Sequence, residues 1–116
     1  MSDVVIYHNP RCGKSRQTLA LIQGLGVRPK VVEYLETPPS ADQLKTFLKA
    51  LGMKPRDLMR TKEPEYKDQG LDDPGLSDDA LIAAMVATPK LIERPIVTNG
   101  ARVALGRPPE NVLEIL

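Results

Sequence analysis

Two hydrophobic periods alternate along this chain. Asp3 to Tyr7 (DVVIY) is a β-branched run broken by His8-Asn9-Pro10, which predicts a strand running into a loop. From Gly13 to Leu25 the period becomes helical, with Thr18, Leu21, Ile22 and Leu25 on one face and Gly24 and Gly26 marking the end. Lys30 to Tyr34 (KVVEY) predicts a second strand. Strand, helix and strand within about thirty residues is the size of a βαβ unit with parallel strands.

Pro38 and Pro39 then stop the chain, and Ser40-Ala-Asp-Gln43 is a capping box opening a helix with Leu44, Phe47, Leu48 and Leu51 on its apolar side. Pro55 fits the first turn of a short helix ending near Arg60. Thr61 to Gly75 is polar. Ser77 caps a further helix whose Asp78 and Asp79 match the positive end of the helix dipole and whose Leu81, Ile82, Met85 and Val86 form a buried face. Pro95 to Thr98, the Asn99-Gly100 turn and Arg102 to Leu105 read as a β-hairpin, and Pro108-Pro109-Glu110 starts a closing helix with Val112, Leu113 and Leu116. The order predicts an α/β fold: a thioredoxin-like (glutaredoxin-like) mixed sheet with a helical insertion between the second strand and the C-terminal hairpin, in one domain over residues 1–116.

A chain of 116 residues buries about two-thirds of its unfolded surface and can hold a core without staples. Its single Cys excludes an internal disulfide and favours a reducing compartment, so the expected location is cytoplasmic. No basic segment leads into a long apolar stretch near Met1, and no run of apolar residues is long enough to span a bilayer. Sixteen Lys plus Arg stand against fifteen Asp plus Glu, with no long run of either sign. Three Tyr, one Phe and no Trp leave no platform for stacking bases. Neither a nucleic acid nor a membrane is an expected partner.

The chemistry concentrates in His8-Asn-Pro-Arg-Cys12-Gly-Lys-Ser-Arg16, at the predicted strand-to-helix turn. A lone cysteine is by default a small core hydrophobe. Here its neighbours are polar and basic, Gly13 permits an unusual backbone angle, and the following helix aims its unpaired amides at the loop. A free thiol with a pKa of about 8.5 is only a few per cent ionised at neutral pH, so a working nucleophile needs that pKa lowered by roughly two, or about 2.7 kcal/mol. A helix N-terminus supplies about 0.3–1 kcal/mol and seldom more than about 2. Further charge or hydrogen bonding is therefore required. Arg11, Lys14, Arg16 and a protonated His8 are the local candidates, and Ser15 can donate its hydroxyl proton toward sulfur or a bound oxyanion. Read singly, His8 is as well suited to closing the first strand, and Lys14 to sitting in solvent.

The phosphatase pattern Cys-X5-Arg is excluded because the sixth position after Cys12 is Thr18, and the dithiol pattern Cys-X-X-Cys is excluded by Ser15. What remains is a monothiol site able to form an adduct but unable to resolve it within the chain. A second thiol must come from outside.

The cysteine loop, taken with Tyr34-Leu-Glu-Thr-Pro-Pro39, Arg56 to Arg60, Glu93-Arg-Pro-Ile96 and Gly106-Arg-Pro-Pro109, resembles the glutathione- and glutaredoxin-dependent arsenate reductases of the ArsC type, essentially from end to end. The resemblance implies Cys12 as nucleophile, with His8 assisting its ionisation, and Arg60, Arg94 and Arg107 as the oxyanion site. It places Arg94-Pro95 beside Cys12, with Pro95 in the cis form. Ser15, in the same loop as Cys12, is a further expected catalytic residue, and Gly13 and Lys14 are further expected residues on the substrate side. Planar arginine forks donating paired hydrogen bonds suit a tetrahedral oxyanion that carries between one and two negative charges.

The reaction so implied is attack of the Cys12 thiolate on arsenate with loss of water, attack by glutathione on the adduct, reduction to arsenite, and regeneration by glutaredoxin. The expectation is therefore no bound cofactor, glutathione as co-substrate, glutaredoxin as partner and a monomeric protein. Arg11 and Lys14 make the loop more basic than in the best-known members, and the chain ends at Leu116 where those carry a longer tail, which places it in a shorter branch. Two other readings use the same fold: a monothiol oxidoreductase acting on another substrate, and a redox-linked regulator of the Spx type that binds RNA polymerase. The latter typically uses a Cys-X-X-Cys switch, which Ser15 removes here.

Overall fold

Val4, Ile6 and His8 take the buried side of the first strand while Val5 and Tyr7 lie half-exposed, as the two-residue period of a strand requires. In a computed structural model that describes residues 3–116, this strand, β1 (Val4–His8), is central. It pairs in parallel with β2 (Lys30–Glu33) and antiparallel with β3 (Ile96–Asn99), which pairs antiparallel with β4 (Arg102–Leu105). The sheet order β2-β1-β3-β4 is that of the thioredoxin-like mixed sheet read from the sequence.

Helix α1 (Gly13–Gly24) connects β1 to β2 and buries Ser15, Thr18 and Ile22, three and four residues apart and so on one face. Ile22 joins Val4, Ile6, Val97, Ala104, Val112 and Ile115 in one core cluster. Each fully buried aliphatic side chain there is worth about 1.5–3 kcal/mol. The closing segment Pro109–Glu114 packs on α1 and β4.

Some details differ from the expectation. Leu25 is 55% exposed, because α1 ends at Gly24 and turns Leu25 outward. The closing segment is a 3₁₀ rather than an α-helix, and its three-residue turn brings Val112 and Ile115 inward and leaves Leu113 exposed. The hairpin loop is Gly100-Ala101 rather than Asn99-Gly100, since Asn99 pairs with Arg102. Gly100 takes φ +61° while no non-glycine among the described residues has positive φ, the arrangement of a turn with glycine in its first central position.

The chain divides into two compact units: residues up to Thr37 with Arg94–Leu116, and Pro38–Glu93, the helical insertion. In the insertion α2 (Ala41–Leu51) opens on the expected capping box, with Gln43 N donating to Ser40 Oγ at 3.1 Å and Ser40 N to Gln43 Oε1 at 2.9 Å. The segment at Pro55 is a 3₁₀ turn, Pro55–Leu58, which stops short of Arg60. The polar Thr61 to Gly75 stretch contains a helix the pattern did not predict, α3 (Pro64–Asp68). It is held from outside: the Arg56 guanidinium donates to Tyr66 Oη at 2.6 Å, to Leu71 O at 2.5 Å and to Asp73 O. One arginine with five donors does there what an apolar face does elsewhere. Helix α4 (Asp78–Ala87), capped by Ser77 as expected, packs on α2 through Leu81, Ile82 and Met85, with Val86 only half-buried.

Candidate active site

The loop after β1 is held by its own backbone and by two side chains. Cys12 N donates to Asn9 O at 3.0 Å and Arg11 N to Asn9 Oδ1 at 3.0 Å. Arg16 Nη1 donates to Pro10 O, also at 3.0 Å. Cys12 is the residue that caps α1, with extended φ −94° and ψ 123°, so its side chain takes the place from which a cap faces the second and third amides of the helix. The sequence marks Asn9-Pro10 as a break, but Asn9 also ties down Arg11 and Cys12.

The Cys12 thiol is buried, and burial pushes its pKa up. The Ser15 amide, the hydrogen bond and charge of Arg94, and the Lys14 amide pull it down, and they prevail: the thiol lies below its ordinary value. Lys14 and Ser15 are the second and third residues of α1, whose amides a helix N-terminus leaves without an intrahelical partner. The charge acting on the sulfur is therefore Arg94, from the segment before β3. Of the expected candidates Arg11, Lys14, Arg16 and a protonated His8, Lys14 acts through its backbone amide, and the Arg16 guanidinium is engaged on Pro10 O.

Arg94 precedes a cis Pro95, and Arg107 precedes a cis Pro108. Arg107 Nη1 donates to the Arg94 carbonyl oxygen at 3.3 Å, so these two arginines are linked. The Arg94 Nε–H is buried and has no acceptor among the described residues. A buried guanidinium N–H without an acceptor is costly unless an anion is there to take it.

His8 is buried at the end of β1, with Nδ1 2.7 Å from Ser15 Oγ. The same hydroxyl accepts from Asn9 N at 3.0 Å. Burial, the largest influence, lowers the His8 pKa; Glu33 opposes this and Arg16 adds to it. Ser15 Oγ therefore meets both the His8 ring and the Asn9 amide, and the ring tautomer decides whether the hydroxyl donates to or accepts from Nδ1.

Gly13 begins α1 without a positive φ, and a Cβ there would meet nothing nearer than Arg16 Nη2 at 4.0 Å. The unusual backbone angle that a glycine permits is not used at Gly13. The glycine that close packing does require is Gly106, where a Cβ would lie 2.6 Å from Thr18 Oγ1 and 2.8 Å from Pro95 Cγ. Thr18 Oγ1 in turn donates to Lys14 O at 2.8 Å. Lys14 itself extends an exposed side chain. Arg60 belongs to the other unit, where Nη1 lies 2.8 Å from Glu63 Oε1 and Nε 3.5 Å from Glu93 Oε1.

No described helix is long and apolar enough to cross a membrane, and no group of three or more His, Cys, Asp or Glu among the described residues is placed to hold a metal ion.

Known proteins place these features in one lineage. A model of the ArsC family matches residues 7–115. The uncharacterized protein YfgD of Escherichia coli is 58% identical over 114 residues, covering 97% of this chain and 96% of that one. An arsenate reductase of Neisseria meningitidis is 45% identical over 117 residues and the full length of both. The solved structure of an arsenate reductase from Vibrio cholerae superposes with a TM-score of 0.96 at 56% identity, covering 99% of this chain and 98% of that chain.

Proposed function

The chain belongs to the ArsC family, and from that premise we propose that it reduces arsenate to arsenite, with Cys12 as the nucleophile and glutathione and glutaredoxin as external thiols. The observation that carries the proposal is Arg94: it favours the Cys12 thiolate and holds a buried Nε–H with no acceptor among the described residues. An oxyanion attacked by that sulfur would supply the acceptor, and charge grows on the same oxygens as the sulfur adds. Arg107 braces Arg94 through its carbonyl. The resemblance adds Arg60 as a third guanidinium and gives His8 the task of assisting the ionisation of Cys12; Ser15 in the catalytic loop, and Gly13 and Lys14 on the substrate side, complete the proposed site.

The steps balance with thiols alone. The Cys12 sulfur bonds to arsenic and one arsenic hydroxyl leaves as water. Glutathione then bonds to arsenic through its own sulfur, with loss of a second water and arsenic still pentavalent. A glutaredoxin thiolate attacks the glutathione sulfur; the sulfur–arsenic electron pair stays on arsenic, which becomes trivalent, and a mixed disulfide departs. Water releases arsenite from Cys12. With one cysteine in the chain, no internal thiol can perform the later steps. A cytoplasmic monomer suits this chemistry, since the reaction consumes reduced glutathione.

The test is arsenate-dependent NADPH oxidation by the purified protein with glutathione, glutaredoxin and glutathione reductase. Turnover that vanishes in Cys12→Ser is expected. Absence of turnover by the intact, reduced protein would overturn arsenate reduction, and retained glutathione-linked activity on another substrate would replace it with a different monothiol reductase.

A further inference from the structure

A groove of about 260 Å³ opens beside the cysteine loop, lined by His8, Asn9, Arg11, Glu33, Leu35 and Glu36. Its two walls are fixed independently. One is the loop tied by Asn9 O, Asn9 Oδ1 and Pro10 O. The other is the turn after β2, where Glu36 N and Thr37 N both donate to Glu33 O, at 3.0 and 2.9 Å. The groove carries one guanidinium, Arg11, and two carboxylates, Glu33 and Glu36, all on exposed residues and none in an ion pair among the described residues. Between the carboxylates in sequence stands Leu35, 46% exposed.

We propose that this groove is the binding site for glutathione, the small thiol that attacks the Cys12 adduct; the inference rests on the arsenate-reduction reading for the step but not for the site. Size, charge and place agree. A concave site near 300 Å³ suits a small molecule, whereas a macromolecular partner covers a broad face. Glutathione carries one ammonium and two carboxylates, the mirror of two carboxylates and one guanidinium. The ammonium belongs between Glu33 and Glu36, a carboxylate on the Arg11 fork, and the peptide over Leu35. Arg11 directly precedes Cys12, so an extended tripeptide of about 10 Å anchored there reaches the nucleophile. In the step served, the glutathione sulfur bonds to arsenic, its proton leaves with one arsenic hydroxyl as water, and no electrons change hands.

The experiment is an NMR titration of the reduced protein with S-methylglutathione, which keeps the tripeptide's charges and lacks the reactive thiol. Saturable shifts are expected at Asn9, Arg11, Leu35 and Glu36. Glu36→Gln and Arg11→Gln should each weaken binding about threefold to fivefold, the range of one exposed ion pair. In turnover the same substitutions should raise KM for glutathione while leaving KM for arsenate unchanged. No saturable shift, shifts confined to another surface, or binding indifferent to both substitutions would overturn the site, and a basic protein surface would then be the better occupant for the acidic wall. A protein that binds S-methylglutathione here and fails to turn over arsenate would overturn the proposed reaction and leave the groove standing.

Discussion

His8 Nδ1 and Ser15 Oγ, 2.7 Å apart, join the end of β1 to the first turn of α1 across the cysteine loop. Both residues are buried, and the hydroxyl also holds the Asn9 amide. Removing Oγ strands a ring nitrogen and a loop N–H together, at about 1–3 kcal/mol for each unsatisfied buried group. Ser15→Ala is therefore expected to lower unfolding free energy by about 1–3 kcal/mol after partial relaxation. Urea unfolding measures it, and an unchanged midpoint would show that the pair contributes nothing to the loop.

The same pair sets an acid limit. His8 has a folded pKa below its ordinary value, chiefly from burial, so between the two values the unfolded chain binds more protons than the folded one. The contribution of neutral His8 is fully present above the unfolded pKa of about 6.5 and is lost as pH falls through the folded value. Wild-type stability should drop more steeply than that of His8→Gln below about pH 6.5. Parallel curves in denaturant titrations from about pH 7 to 5 would remove His8 as the titrating group.

Cys12→Ser should abolish arsenate turnover and leave the fold intact, because exchanging SH for OH at the cap of α1 changes little volume and serine is itself a favoured cap. Near-native circular dichroism with no turnover is the expected pair of results; residual turnover above the buffer rate would refute the nucleophile.

Arg94→Ala should raise the Cys12 pKa, since both its hydrogen bond and its charge favour the thiolate. The midpoint of iodoacetamide alkylation against pH should move upward, and kcat/KM for arsenate should fall by more than KM alone explains. Linkage gives a second readout. A thiol whose folded pKa is depressed contributes stability that is complete above the unfolded value of about 8.5 and is lost as pH falls through the folded one. The stability of the wild type relative to Cys12→Ser should thus grow with pH, and the growth should shrink in the Arg94→Ala background. A variant with unaltered alkylation would separate Arg94 from the sulfur.

Local features of the fold were legible in the sequence because local rules decide them: the capping box at Ser40, the alternation in β1, the glycine and proline breaks. The hairpin shows where a strong local signal yields. Asn-Gly is a preferred hairpin dipeptide, but a loop centred on Asn99-Gly100 would set Val97 opposite Arg102 and carry a charge toward the core. The observed register pairs Val97 with Ala104, both buried, and leaves Arg102 exposed. Helix α3 escaped the pattern because Arg56, from outside the segment, satisfies it. At the site, the cysteine loop stands out as a run of residue types, whereas Arg94 is reached only through the family resemblance. The partners of the Ser15 hydroxyl and the source of the charge on sulfur are not legible, since they depend on which side chains the fold brings together.

The close packing at Gly106, a residue of the Gly106-Arg-Pro-Pro109 motif, was not legible for the same reason: its neighbours Thr18 and Pro95 are distant in sequence. A Cβ at 106 would lie 2.6 Å from Thr18 Oγ1, 3.0 Å from Thr18 Cγ2 and 2.8 Å from Pro95 Cγ. Contacts under 3.0 Å force something to move, and neither a threonine that is fully buried and bonded to Lys14 O nor a proline ring has a flexible end to yield. Overpacking of this kind costs about 1–3 kcal/mol. Gly106→Ala should therefore destabilise the protein by about that amount and, by displacing Pro95 and the adjoining Arg94, lower arsenate kcat/KM as well. Thr18→Ala removes the shortest of these contacts and the one at 3.0 Å, so the double variant should be less destabilised than the sum of the singles, by about 0.5–2 kcal/mol in a double-mutant cycle. Strict additivity would mean that Gly106 is not held against Thr18, and the close approach of β4's end to α1 would then have no part in placing the arginine.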